Sequence, residues 1–272
     1  MYSYQDSLAK KHIDKGGQVG KLAGFIIIYI AFMVLLWLED SLFAGKIQYI
    51  NFFRPVMAPW YVLAMLIWLI LLPIFVKLKK KRAIILALLI TFVLPIHPGL
   101  DEYLTLNRVI GFLPFFVVGY YFDKEKVDII KRSKIKIIIG VVAMLVILGC
   151  WKGIRKYVIW EMYGGGSYEK DLEGLCATLL WLLIASLMTL LVMAFCPSKE
   201  MGFTYVGSGT LSVYVMHRLI ARAMEHMGFN GNIKNEIVAL SVSVVVSTVV
   251  TLVFSCKVFS NFFNKAFSIV KE

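Results

Sequence analysis

The chain has 272 residues, 60% hydrophobic and 17% charged, with a mean hydropathy of +0.78. Apolar runs long enough to cross a hydrocarbon core of roughly 30 Å recur along it; a soluble fold buries one or two such runs but not a succession, so the composition excludes a soluble globular domain. The net charge of +12 and pI near 9.5 do not argue for nucleic acid, because the lysines lie in short segments beside the apolar runs, where they orient a membrane protein and attract anionic lipid.

The expected fold is all-α, a polytopic helical membrane protein of about eight transmembrane helices in the lipid bilayer. A basic segment, 1–21, precedes the first expected span, Leu22–Leu38. Trp60–Val76 follows an outer segment containing "FFRPVMAPWY", where Trp60 and Tyr61 suit an aromatic belt and Arg54 stands at the boundary. Ala83–Ile96 and Val109–Phe122 are short, and "PIHPGLDEY" between them marks a tilted, bent or re-entrant pair. Pro114 sits inside the fourth span, where it should kink the helix and free a carbonyl. Arg108 stands at its outer entry, and Tyr120 and Tyr121 at its inner exit read as interfacial anchors. Ile135–Trp151, Leu175–Cys196, Phe203–Ala221 and Ile237–Phe254 complete the series, and 255–272 forms a C-terminal tail.

With the N-terminus inside, inner segments collect 19 Lys and Arg against 10 outside, and 7 acids against 10. The positive-inside rule then places both termini in the cytoplasm. Met1–Gly20 lacks the parts of a signal peptide. Cys150, Cys176, Cys196 and Cys256 have no CxxC spacing, and no metal site is expected. Cys150 and Cys176 both fall near the outer face, within reach of a bridge in principle, though apolar packing is the expectation. Phosphate loops, nucleophile elbows and HExxH motifs are lacking.

Polar residues within spans therefore carry the functional question, since each is expensive there. In "YVGSGTLSVYVMHRLI", 100° per residue places Gly207, Thr210, Tyr214, His217 and Arg218 on one arc of a helix. Such a face turns to other helices or a wet cavity. The structural alternative has Gly207, Ser208, Gly209 and Ser212 allowing close packing, Arg218 snorkelling to the interface and His217 making a structural hydrogen bond. His97 and His226 fall in expected outer loops, solvated.

Three stretches, in order and spacing, resemble the acyltransferase 3 family of membrane acyltransferases, especially its fucose 4-O-acetylase-like branch. "MAPWYVLAMLIWLILLPIF" resembles the family's Pro-x-Trp-Phe-Leu span, "RVIGFLPFFVVGYYFDKEK" its Pro-Phe-Phe-x-x-Gly-Tyr span, and "YVGSGTLSVYVMHRLI" its Gly-x-x-Thr-Leu-x-x-Tyr-x-x-His segment. The resemblance spans about residues 52–220 and implies a transmembrane domain over 22–254. It also implies transfer of an acyl group, most often acetyl from acetyl-CoA, to hydroxyls of a cell-surface glycan, a polysaccharide modification expected of bacteria. Inner lysines and arginines would serve as charge partners for CoA phosphates.

By resemblance His217 is the catalytic or catalytic-support candidate. Tyr214 and Thr210 stand beside it, and Arg218, Arg108 and Arg54 are candidates for acceptor binding or charge stabilisation. The family usually has about ten spans, with a His in the first. "MYSYQDSLAKKHIDK" resembles the segment after the family's second span, so the expectation is a truncated or degenerate relative, or one whose first helices come from a partner chain; His12 does not replace the missing residue. The rival expectations are a catalytically dead membrane partner and a transporter or flippase of glycan or lipid intermediates.

Overall fold

The computed structural model describes residues 15–55, 58–93, 103–132, 135–149, 172–197, 201, 204–229, 235–259 and 261. The α-helices that build the fold are α1 Lys15–Ala44, α2 Trp60–Val76, α3 Lys80–Val93, α4 Leu106–Tyr120, α5 Lys124–Arg132, α6 Ile135–Gly149, α7 Leu172–Phe195, α8 Thr210–His226 and α9 Glu236–Phe254. A 3-10 helix, Thr204–Gly209, leads into α8. The described residues contain no strand. His12, His97, Cys150 with its potential bridge, and nearly all of "PIHPGLDEY" lie outside them. Cys176, Cys196 and Cys256 are free thiols.

Val19–Ala44, Gly174–Phe195 and Ile237–Phe254 are long and apolar enough to cross a bilayer, and Trp60–Val76, Leu106–Tyr120 and Lys136–Gly149 are shorter apolar helices. Their surfaces stay apolar: on α9, Ile237 is 75% exposed and Leu240 66%. Water would penalise so much apolar surface, whereas lipid tails are as apolar as these side chains. The protein is a helical membrane protein.

Each expected span overlaps a helix, and the differences have physical causes. α1 and α8 outrun their apolar windows because helical hydrogen bonding does not stop where hydropathy falls. α1 therefore includes Glu39 and Asp40, and α8 carries Arg222 and His226, which the sequence places in an outer segment. The opening of the seventh span is 3-10 rather than α. Where a plain basic loop is expected, "KEKVDIIKR" forms the strongly amphipathic α5.

The described residues fall into two compact units, one drawn from Met1–Leu69 and Glu200–Glu272 and the other from Ile70–Lys199. In the first, α8 packs on α1 and α9. Phe32, Val62 and Val215 are nearly fully buried in its core. Tyr29 donates from its hydroxyl to the Phe52 carbonyl at 2.5 Å, and Trp37 Nε1 donates to the Gln48 carbonyl at 2.6 Å, tying the segment after α1 back onto that helix. Gly209 is needed where α8 begins, because a Cβ there would lie 2.6 Å from the Ser255 Cα. The buried Ser212 hydroxyl reaches the Phe254 carbonyl at 2.7 Å, satisfying the end of α9.

In the second unit, Ala83, Ala87 and Thr91 recur at i, i+4 and i+8 on α3 and are almost completely buried. Small side chains at that spacing let α3 approach α4 closely. Pro114 has no N–H to give the Ile110 carbonyl four residues earlier. The Thr91 hydroxyl lies 2.9 Å from that carbonyl and 3.0 Å from its own helix's Ala87 carbonyl. A side chain of α3 thus supplies the donor that Pro114 removes from α4. Tyr121 does comparable work at the other end. Its one hydroxyl proton is shared between the Phe75 carbonyl at 2.9 Å and that of Leu78 at 3.1 Å, at the end of α2.

Candidate functional site

His217 lies on α8 with an exposed side chain. Its Nδ1 is 3.1 Å from the carbonyl of Val213, one turn earlier. A carbonyl oxygen can only accept, so this contact places a proton on Nδ1; in the neutral ring, Nε2 then carries the lone pair. Tyr214 precedes it by three residues, with ring centroids 5.7 Å apart. The Tyr214 ring is also set edge-on against Phe32 of α1 and Tyr61 of α2. Its hydroxyl donates to the Ala58 carbonyl, just before α2. Tyr214 thus pins α8 to the start of α2 and holds one side of His217, with its only O–H proton already committed. Thr210 is committed in the same way, donating to the Gly207 carbonyl at 2.7 Å.

Arg218 follows His217 and bonds Glu225 through Nη1 at 3.3 Å and Nη2 at 3.5 Å. Its Nε is buried and has no hydrogen-bond partner among the described residues. One turn further, Arg222 grips Asp40 of α1 in a bidentate pair, Nε to Oδ1 at 2.6 Å and Nη2 to Oδ2 at 2.8 Å. His226 adds a third bond to Asp40, Nε2 to Oδ1 at 3.1 Å, and stacks on Phe43 at 4.7 Å. It closes α8 against α1 and, though solvent-exposed as expected, ends a helix instead of lying in a loop. Glu39 lies within the influence of Arg222, His226, Asp40 and Arg218, yet both its carboxylate oxygens are buried without a hydrogen bond among the described residues. A carboxylate so placed is a functional candidate, since its desolvation is only partly compensated.

The structure therefore brings Tyr214, His217 and Thr210 onto one helix, with Arg218 leading into a charged network at the end of α1. Arg54 lies in the same unit, exposed in a bend after α1. Arg108 belongs to the second unit, in the first turn of α4. It follows two non-glycine residues in the left-handed region, Leu104 at φ 56° and Thr105 at φ 48°. Glu39, Asp40 and Arg222 escaped the sequence reading, which set His226 aside as a solvated loop residue. The available signal was the i, i+4, i+8 spacing of Arg218, Arg222 and His226, which puts three basic groups on one stripe. The acidic pair closing the first apolar run was its complement. No group of three or more metal-ligating side chains occurs among the described residues.

No curated protein and no solved structure matches this sequence. A family model described as an acyltransferase domain matches residues 7–256, which takes in α1 to α9, the His217 helix and its charged partners. The chain belongs to the acyltransferase 3 family of membrane acyltransferases.

Proposed function

We propose that the protein is a multi-pass O-acyltransferase, with both termini cytoplasmic, that moves an acyl group from acyl-CoA to a hydroxyl of a cell-surface glycan. Acetyl is the acyl group and the fucose 4-O-acetylase-like branch the relationship that fit the three sequence motifs. The observation that carries the reading is His217, whose Nδ1–H is held by the Val213 carbonyl while the ring is exposed. That arrangement suits a general base. Nε2 takes the acceptor's O–H proton as the oxygen bonds to the thioester carbonyl carbon. The tetrahedral adduct then breaks its C–S bond, and the leaving thiolate takes the proton back from Nε2. The products are the ester and free CoA thiol.

Charge develops on the former carbonyl oxygen, and Arg218 Nε, without a partner among the described residues, is a donor beside His217 suited to it. Tyr214 and Thr210 have spent their hydroxyl protons on backbone carbonyls, so they serve by position. The test uses membranes containing the full chain, labelled acetyl-CoA and the glycan fraction as readout. Label should appear in glycan as an alkali-labile ester and fall at least about 100-fold in His217→Ala, the usual contribution of a general base. Unchanged labelling in His217→Ala would overturn the assignment of the base. Absence of label with the wild-type chain would favour a catalytically silent partner.

A further inference from the structure

The second unit holds a groove of about 520 Å³ bounded by α3, α4 and α7, within the roughly 300–1,000 Å³ of small-ligand sites. Ile84, Leu88, Phe112, Phe115, Phe122 and Met193 form much of its wall. Its polar members contribute little: Thr189 donates to the Ala185 carbonyl of its own helix at 2.7 Å, leaving Ser186 as the other hydroxyl in the lining. A sugar or nucleotide base would lose its hydrogen bonds to water there without replacement. A hydrocarbon chain loses nothing.

One end of the groove is charged. Lys80 stands one turn before Ile84 on the same face of α3, and Phe122 is followed by Asp123 and, one turn on, Lys126. Lys80 Nζ donates to the Tyr121 carbonyl at 3.1 Å, which fixes the ammonium beside the groove's Phe122 end. Lys126 bonds Asp123 at 2.9 Å, so the three groups keep one net positive charge. Lys126 belongs to α5, whose basic, amphipathic sequence suits the depth of lipid head groups.

We infer that this groove binds an anionic membrane phospholipid, with one acyl chain between α3, α4 and α7 and its phosphate at Lys80 and Lys126. The charge agrees with this reading: contact with the Lys126 ammonium, with burial added, holds Lys80 below the usual lysine range, a repulsion that a phosphate would relieve. The site does not depend on acyl transfer, and failure of one leaves the other standing.

The test is native mass spectrometry of the full chain in neutral detergent, with phosphatidylglycerol and phosphatidylcholine of identical chains. Because Asp123 offsets one of the two lysines, the preference for phosphatidylglycerol should be that of one ammonium near the head group, about fivefold. Lys80→Gln combined with Lys126→Gln leaves the Asp123 carboxylate alone at that end, so the preference should be lost and turn toward phosphatidylcholine. Ser186→Trp fills the groove from an exposed position and should lower retention of both, whereas Lys46→Gln, an exposed lysine of the first unit, should change nothing. Circular dichroism confirms that each variant keeps its helices. Equal retention of the two lipids by the wild type would overturn the proposal. So would a preference that survives the double glutamine variant, unchanged binding in Ser186→Trp, or displacement of the lipid by an equal concentration of free CoA.

Discussion

Replacing Thr91 by Val keeps the side-chain shape and removes one O–H. In this structure that proton is the donor for the Ile110 carbonyl, which Pro114 cannot serve. Thr91 is 1% exposed, so water cannot take over. A buried acceptor left without a donor costs about 1–3 kcal/mol in soluble proteins, while interhelical hydrogen bonds in membranes average about 0.6 and reach about 1.7 kcal/mol. Thr91→Val should therefore destabilise the protein by about 1 kcal/mol. In a Pro114→Ala background the main-chain N–H of residue 114 returns to the Ile110 carbonyl, and the same substitution should cost close to nothing. The assay is a double-mutant cycle on unfolding midpoints, measured by circular dichroism during titration of mild detergent micelles with a denaturing detergent. A coupling of about 1 kcal/mol is expected. If Thr91→Val costs the same in both backgrounds, the hydroxyl is not standing in for the proline's missing donor and the reasoning fails.

Gly209→Ala should destabilise by about 1–3 kcal/mol, the usual range for overpacking, because the new methyl meets Ser255 backbone; Gly207→Ala, with open space at the same atom, should be tolerated in the same thermal-melt series. Arg222→Ala leaves Asp40 with His226 alone. The Arg222 and Asp40 side chains are 19% and 28% exposed, between the surface and buried limits, so a loss of about 2 kcal/mol is expected, and Asp40→Ala should show strong coupling to it in a double-mutant cycle. Thr105→Gly relieves a left-handed residue worth about 1–2 kcal/mol but adds glycine's entropy of roughly 0.5–1 kcal/mol. A rise in stability of about 0.5–1 kcal/mol should result, read from the same unfolding curves.

Hydropathy alone located the apolar helices but not the basic α5, because a window of apolar residues reports where a chain can enter lipid. It misjudged the ends of α1 and α8 for the same reason: a helix continues as long as its hydrogen bonds do, and Glu39, Asp40, Arg222 and His226 ride on those extensions. The motif containing Tyr214, His217 and Arg218 was legible in the chain, and the family match extends well beyond it. The commitments of those side chains were not. That Tyr214 spends its proton on Ala58, that His217 turns Nδ1 to Val213 and that Arg222 finds Asp40 are facts about partners 4 to 182 residues away.

The sequence by itself determined the solvent and the family: an apolar composition with basic short segments specifies a helical membrane protein, and residue order within three spans specifies acyltransferase 3. Tertiary structure alone decided which polar groups are spent and which are spare. A hydrogen bond depends on two groups meeting within about 3 Å at the right angle, and nothing along the chain encodes that Thr91 would reach the carbonyl that Pro114 leaves open.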